Sequence, residues 1–255
     1  MTELPGVRRV EFIMGMPIVV DVRHDGAEAE IEATYDWFRH VDEVFSTYKE
    51  DSEISRVNRG ELHRRDCTDE MRFILDRCEE LTELTDGFFD MRATPDRSLD
   101  PSGLVKGWSV DRAADMLLAA GLTNFAVSAG GDMRLSGCAD PEPEWHVGIQ
   151  HPTERDQVAV VVAANDLAIA TSGAYIRGDH VVDPHSGAAP RAVLSVTITG
   201  PILADADAFA TAAFAMDAKG PEWTTRLAGY EAMTIMGDGR VLSTSGFPSV
   251  APESH

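Results

Sequence analysis

Four segments carry residue types and spacings that can do chemistry. Asp100-Pro-Ser-Gly-Leu-Val-Lys-Gly107 is a two-glycine turn feeding a helix. Its glycines let the backbone approach a ligand, the helix N-terminus offers unpaired N–H groups, and Lys106 adds a positive charge for a phosphate. It is neither a Walker loop nor G-x-G-x-x-G, so taken alone it reads first as a plain helix start with a surface lysine. Ser128-Ala-Gly-Gly-Asp132 stands between two strands. Its paired glycines make room for a flat ring or a phosphate, or form a tight hairpin capped by Asp132. In Ala204-Asp-Ala-Asp-Ala-Phe-Ala-Thr211, Asp207 and Thr211 are four apart at the start of a helix, with their oxygens on one face. A carboxylate, a hydroxyl and backbone carbonyls suit a hard cation such as Mg²⁺, while Asp205 or Asp207 can instead be a simple helix cap. The last segment is Ala170-Thr-Ser-Gly173 followed by His180-Val-Val-Asp183-Pro-His185-Ser-Gly187. Here His180 beside Asp183 suits acid–base work or an ordinary Asp-Pro turn. The sequence has no His-x-x-x-His, C-x-x-C or G-x-S-x-G, so zinc and serine-hydrolase chemistry have no support.

Amphipathic spacing predicts helices over Glu28–Phe45, about Asp69–Leu84 and about Lys106–Ala120 to position these residues, with the last closing at Gly121. Strands are expected at Val10–Met14 and Pro17–Val22, with Gly15 between them. Seven more follow from Phe125 to Thr199, including one at His180–Val182. A helix over Asp207–Met216, a short helix near Trp223–Leu227 and a hairpin about Gly237-Asp238-Gly239 complete the pattern. Helices gathered early and strands gathered late predict an α+β fold with a largely antiparallel sheet. A single domain over residues 1–247 is expected, with 248–255 as a flexible tail.

With 22 Lys and Arg against 43 Asp and Glu, the net charge of −21 opposes nucleic-acid and anionic-membrane partners. A phosphorylated ligand therefore needs local compensation from lysine, backbone N–H groups or a metal. No stretch approaches a membrane span, and three cysteines without a paired motif read as free thiols, so a cytoplasmic location is expected.

Taken in order, these segments resemble a known family. Met14-Gly15 comes first, then Phe45-Ser-Thr-Tyr48, Ser52-Glu-Ile-Ser55 with Asn58, and Gly87-Phe-Phe-Asp90. Asp100-x-x-Gly-x-x-Lys-Gly107, Gly130-Gly-Asp132, Ala170-Thr-Ser-Gly173, His180-x-x-Asp-Pro184 with Gly187, and Ala206-Asp-Ala-x-Ala-Thr211 follow. The series resembles the ApbE family, the FAD:protein FMN transferases, over about residues 10 to 217. The resemblance implies a Mg²⁺-dependent enzyme that cleaves FAD at its pyrophosphate, attaches FMN by a phosphoester to a Thr or Ser of an acceptor protein, and releases AMP. Some members hydrolyse FAD instead, and a binding-only relative is a third reading. Carried over by motif, Met14, Tyr48, Phe88, Phe89, Asp90, Asp100, Lys106 and His180 are implied FAD contacts. Asp207, Thr211 and the Gly103 carbonyl are implied metal ligands, with His180, Lys106 and Asp207 catalytic. Three departures stand out: Val105 in place of a small residue, a short Met91–Leu99 segment, and His185-Ser186 in place of Arg-Thr.

Overall fold

A computed structural model of the chain describes residues 6–139, 142–154, 156–173 and 181–250. Its spine is an antiparallel sheet of eight strands in the order β1-β2-β3-β4-β7-β8-β9-β10. These are β1 Val7–Ile13, β2 Met16–Val22, β3 Phe125–Ala129, β4 Asp132–Ser136, β7 Leu167–Gly173, β8 Val193–Gly200, β9 Glu231–Met236 and β10 Val241–Ser243. A small sheet of β5 Trp145–Gln150, β6 Val158–Ala164 and β11 Ser249–Val250 covers part of one face. There Trp145, Ile149 and Val162 pack on Leu135, Ile169, Met233 and Ile235.

The other face carries the main core, built by α1 Glu28–Phe45, α2 Glu53–Asn58, α3 Asp69–Leu84, α4 Ser102–Ala119 and α5 Leu203–Ala215. A short α6, Gly220–Thr224, follows. In α1 the buried positions Ile31, Tyr35, Phe38, Val41 and Phe45 recur every three or four residues, as one packed face requires. By contrast, α5 is buried on nearly all sides, and its run of alanines lets both the sheet and α4 approach it. The fold is the expected α+β class.

Several boundaries differ from the sequence expectation. Helix α4 starts at Ser102, four residues before Lys106, because the Asp100 carboxylate accepts the Ser102 N–H (3.0 Å) and turns the chain into the helix. Helix α5 starts at Leu203 instead of Asp207, and neither Asp205 nor Asp207 caps it. The cap comes from Asp111 of α4, whose carboxylate accepts Leu203 N (3.1 Å) and Ala204 N (2.8 Å). Helix α6 lies three residues earlier than expected, with Pro221 in its first turn. Val181 and Val182 are not in a strand, and position 180 lies outside the described residues. Ser249–Val250, expected in the loose tail, pairs with Val161 and Val162 of β6, so the sheet takes up the start of that segment.

Candidate active site

Where α4 crosses α5, the two helices meet backbone to backbone. A Cβ on Gly107 would lie 2.6 Å from the Leu203 carbonyl oxygen and 2.8 Å from Ala204 Cα. This approach brings Gly107 N within 3.2 Å of Asp207 Oδ2 and turns the neighbouring Lys106 toward Asp207 Oδ1, also at 3.2 Å. Lys106 Nζ also pairs with Asp132 Oδ2. Asp132 is the first residue of β4, delivered by Gly130 and Gly131, whose φ values of 58° and 105° suit glycine in a tight hairpin. Its Oδ1 accepts the Thr171 N–H from β7 (2.8 Å). One helical turn beyond Asp207, Thr211 Oγ1 lies 3.3 Å from Ser172 Oγ.

Both carboxylates are 2% exposed. Burial pushes Asp207 well above the usual carboxylate range, Lys106 pulls it back, and the nearby Asp132 charge pushes the same way as burial. For Lys106, burial lowers the ammonium, but the two carboxylates outweigh it and the net shift is upward. By formal charge, two carboxylates face one ammonium in this buried floor, and a further cation would favour the ionised form of Asp207. The donors beside it, from Asp207, Asp132, Thr211 and Ser172, are all oxygens, the chemistry a hard divalent cation accepts. Among the described residues no three His, Cys, Asp or Glu side chains converge. Any cation held here would need hydroxyls, carbonyls or ligand oxygens to complete its shell, as Mg²⁺ accepts.

Above this floor opens a cleft with a cavity volume of about 230 Å³. Phe88, Phe89, Asp90 and Asp100 line one side, and Val181, Val182 and Pro184 another. A Cβ on Gly103 would come 3.2 Å from the Phe89 ring, so glycine there lets Phe89 lie on the first turn of α4. The short Met91–Leu99 wall is held by Asn58, which donates to Leu99 O (2.9 Å) and accepts from Leu99 N (2.8 Å). Asn58 ends α2, and Ser52 caps that helix by accepting Ser55 N (3.2 Å). The Ser52-to-Asn58 motif therefore acts on the cleft by bracing its wall.

Of the residues singled out in the sequence, Phe88, Phe89, Asp90, Asp100, Gly103, Lys106, Asp207 and Thr211 converge on this cleft. Met14 sits at the β1–β2 turn with φ 54°, half-buried, and its neighbour Met16 lines the cleft instead. Tyr48 is 97% exposed and does not line the cleft. His180 lies outside the described residues. Sequence reasoning missed Asp132 as a partner of Lys106 and Asp111 as the cap of α5. The available signals were the Gly-Gly turn before Asp132 and the placing of Asp111 one helical turn after Gly107.

The chain matches the ApbE family over residues 14–96 and 91–234. It is 34% identical over 132 residues to the FAD:protein FMN transferase of Vibrio cholerae, covering 48% of this chain and 40% of that one. It is likewise 34% identical over 167 residues to the FAD:protein FMN transferase of Treponema pallidum, covering 58% and 46%. The chain thus spans about half the length of the curated relatives it matches. The crystal structure of the ApbE protein of Thermotoga maritima superposes with a TM-score of 0.83 at 23% identity, covering 95% of this chain and 98% of that one. The flavin transferase ApbE of Vibrio cholerae gives 0.83 at 23% identity, covering 96% and 99%, a likeness of fold. Because the family match runs from the β1–β2 turn into β9, through every element that builds the cleft, the chain belongs to the ApbE family.

Proposed function

We propose that the chain is a Mg²⁺-dependent FAD:protein FMN transferase, cleaving the pyrophosphate of FAD, passing FMN to a Thr or Ser hydroxyl of an acceptor protein, and releasing AMP. The observation that carries this reading is the buried cluster of Lys106, Asp132 and Asp207 under an aromatic-walled cleft, with Thr211 one turn from Asp207. Asp207, Thr211 and the Gly103 carbonyl would hold the Mg²⁺, which supplies charge stabilisation to phosphate oxygens when bound. Lys106 brings a second positive charge to the same oxygens, as transfer at phosphorus requires. Phe88 and Phe89 offer apolar faces to the ring systems of FAD, and Asp90 and Asp100 offer acceptors to its hydroxyl or amino groups. Met14 and Tyr48 are further contacts from beyond the cleft lining, and His180 is the group that takes the proton of the attacking hydroxyl. The names of the relatives and the family motifs support FAD as the substrate. The three free cysteines fit a reducing, cytoplasmic compartment.

Incubation with FAD and Mg²⁺, following AMP and FMN by chromatography beside an EDTA control, tests the reading. Metal-dependent AMP release is expected, with FMN retained on a Thr- or Ser-bearing acceptor when one is supplied. Intact FAD in the presence of both metal and acceptor would overturn it.

A further inference from the structure

The Lys106 ammonium is shared between two carboxylates, each of which also has a backbone N–H partner of its own. Asp132 is held through its other oxygen by Thr171 N, and Asp207 through its other oxygen by Gly107 N. Both acids are buried to 2% exposure on β4 and α5. Lys106 reaches them on a four-carbon stem whose side chain keeps 23% exposure toward the cleft. A divalent cation at Asp207 and Thr211 would meet the ammonium already paired with Asp207 Oδ1, and like charges within a few ångströms beside buried carboxylates repel. The lysine must then leave that oxygen, and Asp132 is the acid within reach that keeps its charge in the cleft.

Building on the metal-dependent reading above, we propose that Lys106 is a tethered counter-ion for Asp207 that moves wholly onto Asp132 when a divalent cation binds. Asp132 is the positioning residue for this exchange. It lowers the repulsion the metal meets, and it holds the ammonium beside the phosphate oxygens once the exchange has happened. The same arrangement keeps the metal-free floor from burying two uncompensated acids.

The test measures Mn²⁺ and Mg²⁺ binding by calorimetry without FAD, at fixed pH and ionic strength. It uses the full chain, Lys106→Met, Asp132→Asn and the double variant. Lys106→Met is expected to bind metal about tenfold or more tightly than wild type, although it removes a group placed in the chemistry. Asp132→Asn is expected to bind about tenfold or more weakly, because its lysine is left on Asp207 alone. The double variant is expected to return toward wild type. Lys106→Met affinity equal to or below wild type would overturn the proposal, as would an Asp132→Asn loss that persists in the double variant. If Lys106→Met is unstable without metal, its metal-induced rise in unfolding temperature is expected to exceed that of wild type, and an equal or smaller rise overturns the proposal. Metal-dependent AMP release by wild type with unaltered affinity in Lys106→Met would overturn this inference alone. The expected order of affinities without any FAD cleavage would overturn the function alone.

Discussion

Gly107 and Leu203 touch through their backbones: a Cβ on Gly107 would stand 2.6 Å from the Leu203 carbonyl oxygen. The obstructing atoms belong to the backbone of α5 and not to a flexible side chain, so nothing local can yield. This contact sets the separation of the two helices, and with it the reach of Lys106 to Asp207.

Gly107→Ala is therefore expected to do more harm than its small volume suggests. Overpacking of this kind costs about 1–3 kcal/mol, and relief requires α4 and α5 to separate. Denaturant unfolding should show a lower midpoint. AMP release per folded molecule should also fall about tenfold or more, because the separation moves Lys106 away from Asp207. Unchanged turnover in the folded fraction would mean that the crossing does not set the site's geometry.

Asp207→Asn keeps an oxygen to accept the Gly107 N–H while removing the charge a cation needs. Folding is expected to survive, and metal-dependent AMP release is expected to fall about a thousandfold or more. Turnover at the wild-type rate would remove Asp207 from the chemistry. Comparison with Asp207→Ala, which also leaves Gly107 N without its side-chain acceptor, separates the charge from the hydrogen bond.

The readable parts of this fold were those whose signals are local. The spacing of Ile31, Tyr35, Phe38, Val41 and Phe45 gives α1 at its observed limits, and Met71, Leu75, Cys78 and Leu81 do the same for α3. The start of α5 could not be read this way, because its cap is Asp111, ninety-two residues from Leu203 in sequence. Helix α2 has six residues, too few for a periodic pattern, and β11 has two. In the site, Lys106, Asp207 and Thr211 were visible as types at telling spacings, whereas Asp132 becomes the partner of Lys106 only when the Gly130-Gly131 hairpin sets it beneath α4.

Asp111 links pH to the stability of this arrangement. Burial raises its carboxyl to about 6 from 3.8, against the N–H bonds from Ala204 and Leu203 and the Arg134 charge, which lower it. A folded value above the unfolded one means that the protonated form favours the fold. That contribution is complete below about pH 4 and is lost as pH rises through about 6. The loss is at most about 3 kcal/mol at roughly 1.4 kcal/mol per unit. Asn cannot ionise, so the stability of wild type relative to Asp111→Asn is expected to decline from pH 4 to pH 6.5 in thermal unfolding. A difference that is flat or rises with pH would show that the capping N–H groups outweigh burial.

The proposed Tyr48 contact can be tested cleanly, because the 97% exposed ring contributes almost no packing to the fold. Tyr48→Ala is expected to leave the unfolding temperature unchanged and to weaken FAD binding several-fold, the value of covering one aromatic face. Unaltered affinity measured by flavin fluorescence would take Tyr48 out of the ligand contacts.

His185 joins the two sides of the cleft. A carbonyl oxygen only accepts, so His185 Nε2 carries the hydrogen it shares with Asp86 O at 3.0 Å. Its ring meets Phe88 edge-on, with centroids 4.7 Å apart at 76°. Gly87 makes room for it, since a Cβ there would lie 3.0 Å from His185 Cε1. The turn from Asp183 to Gly187 is tightened by Asp183, which accepts His185 N (2.9 Å) and Ser186 Oγ (2.6 Å). His185 thereby pins this turn, and the Pro184 that lines the cleft, to the turn over residues 86–88 that follows α3. In His185→Ala the pin is lost while the core is untouched, so stability is expected to change by no more than about 1 kcal/mol. The Phe88 ring gains freedom that FAD must then remove, which raises KM for FAD several-fold and leaves kcat within about twofold. A fall in kcat at constant KM would place His185 in the chemistry instead, and no change in either would make the contact incidental to the cleft.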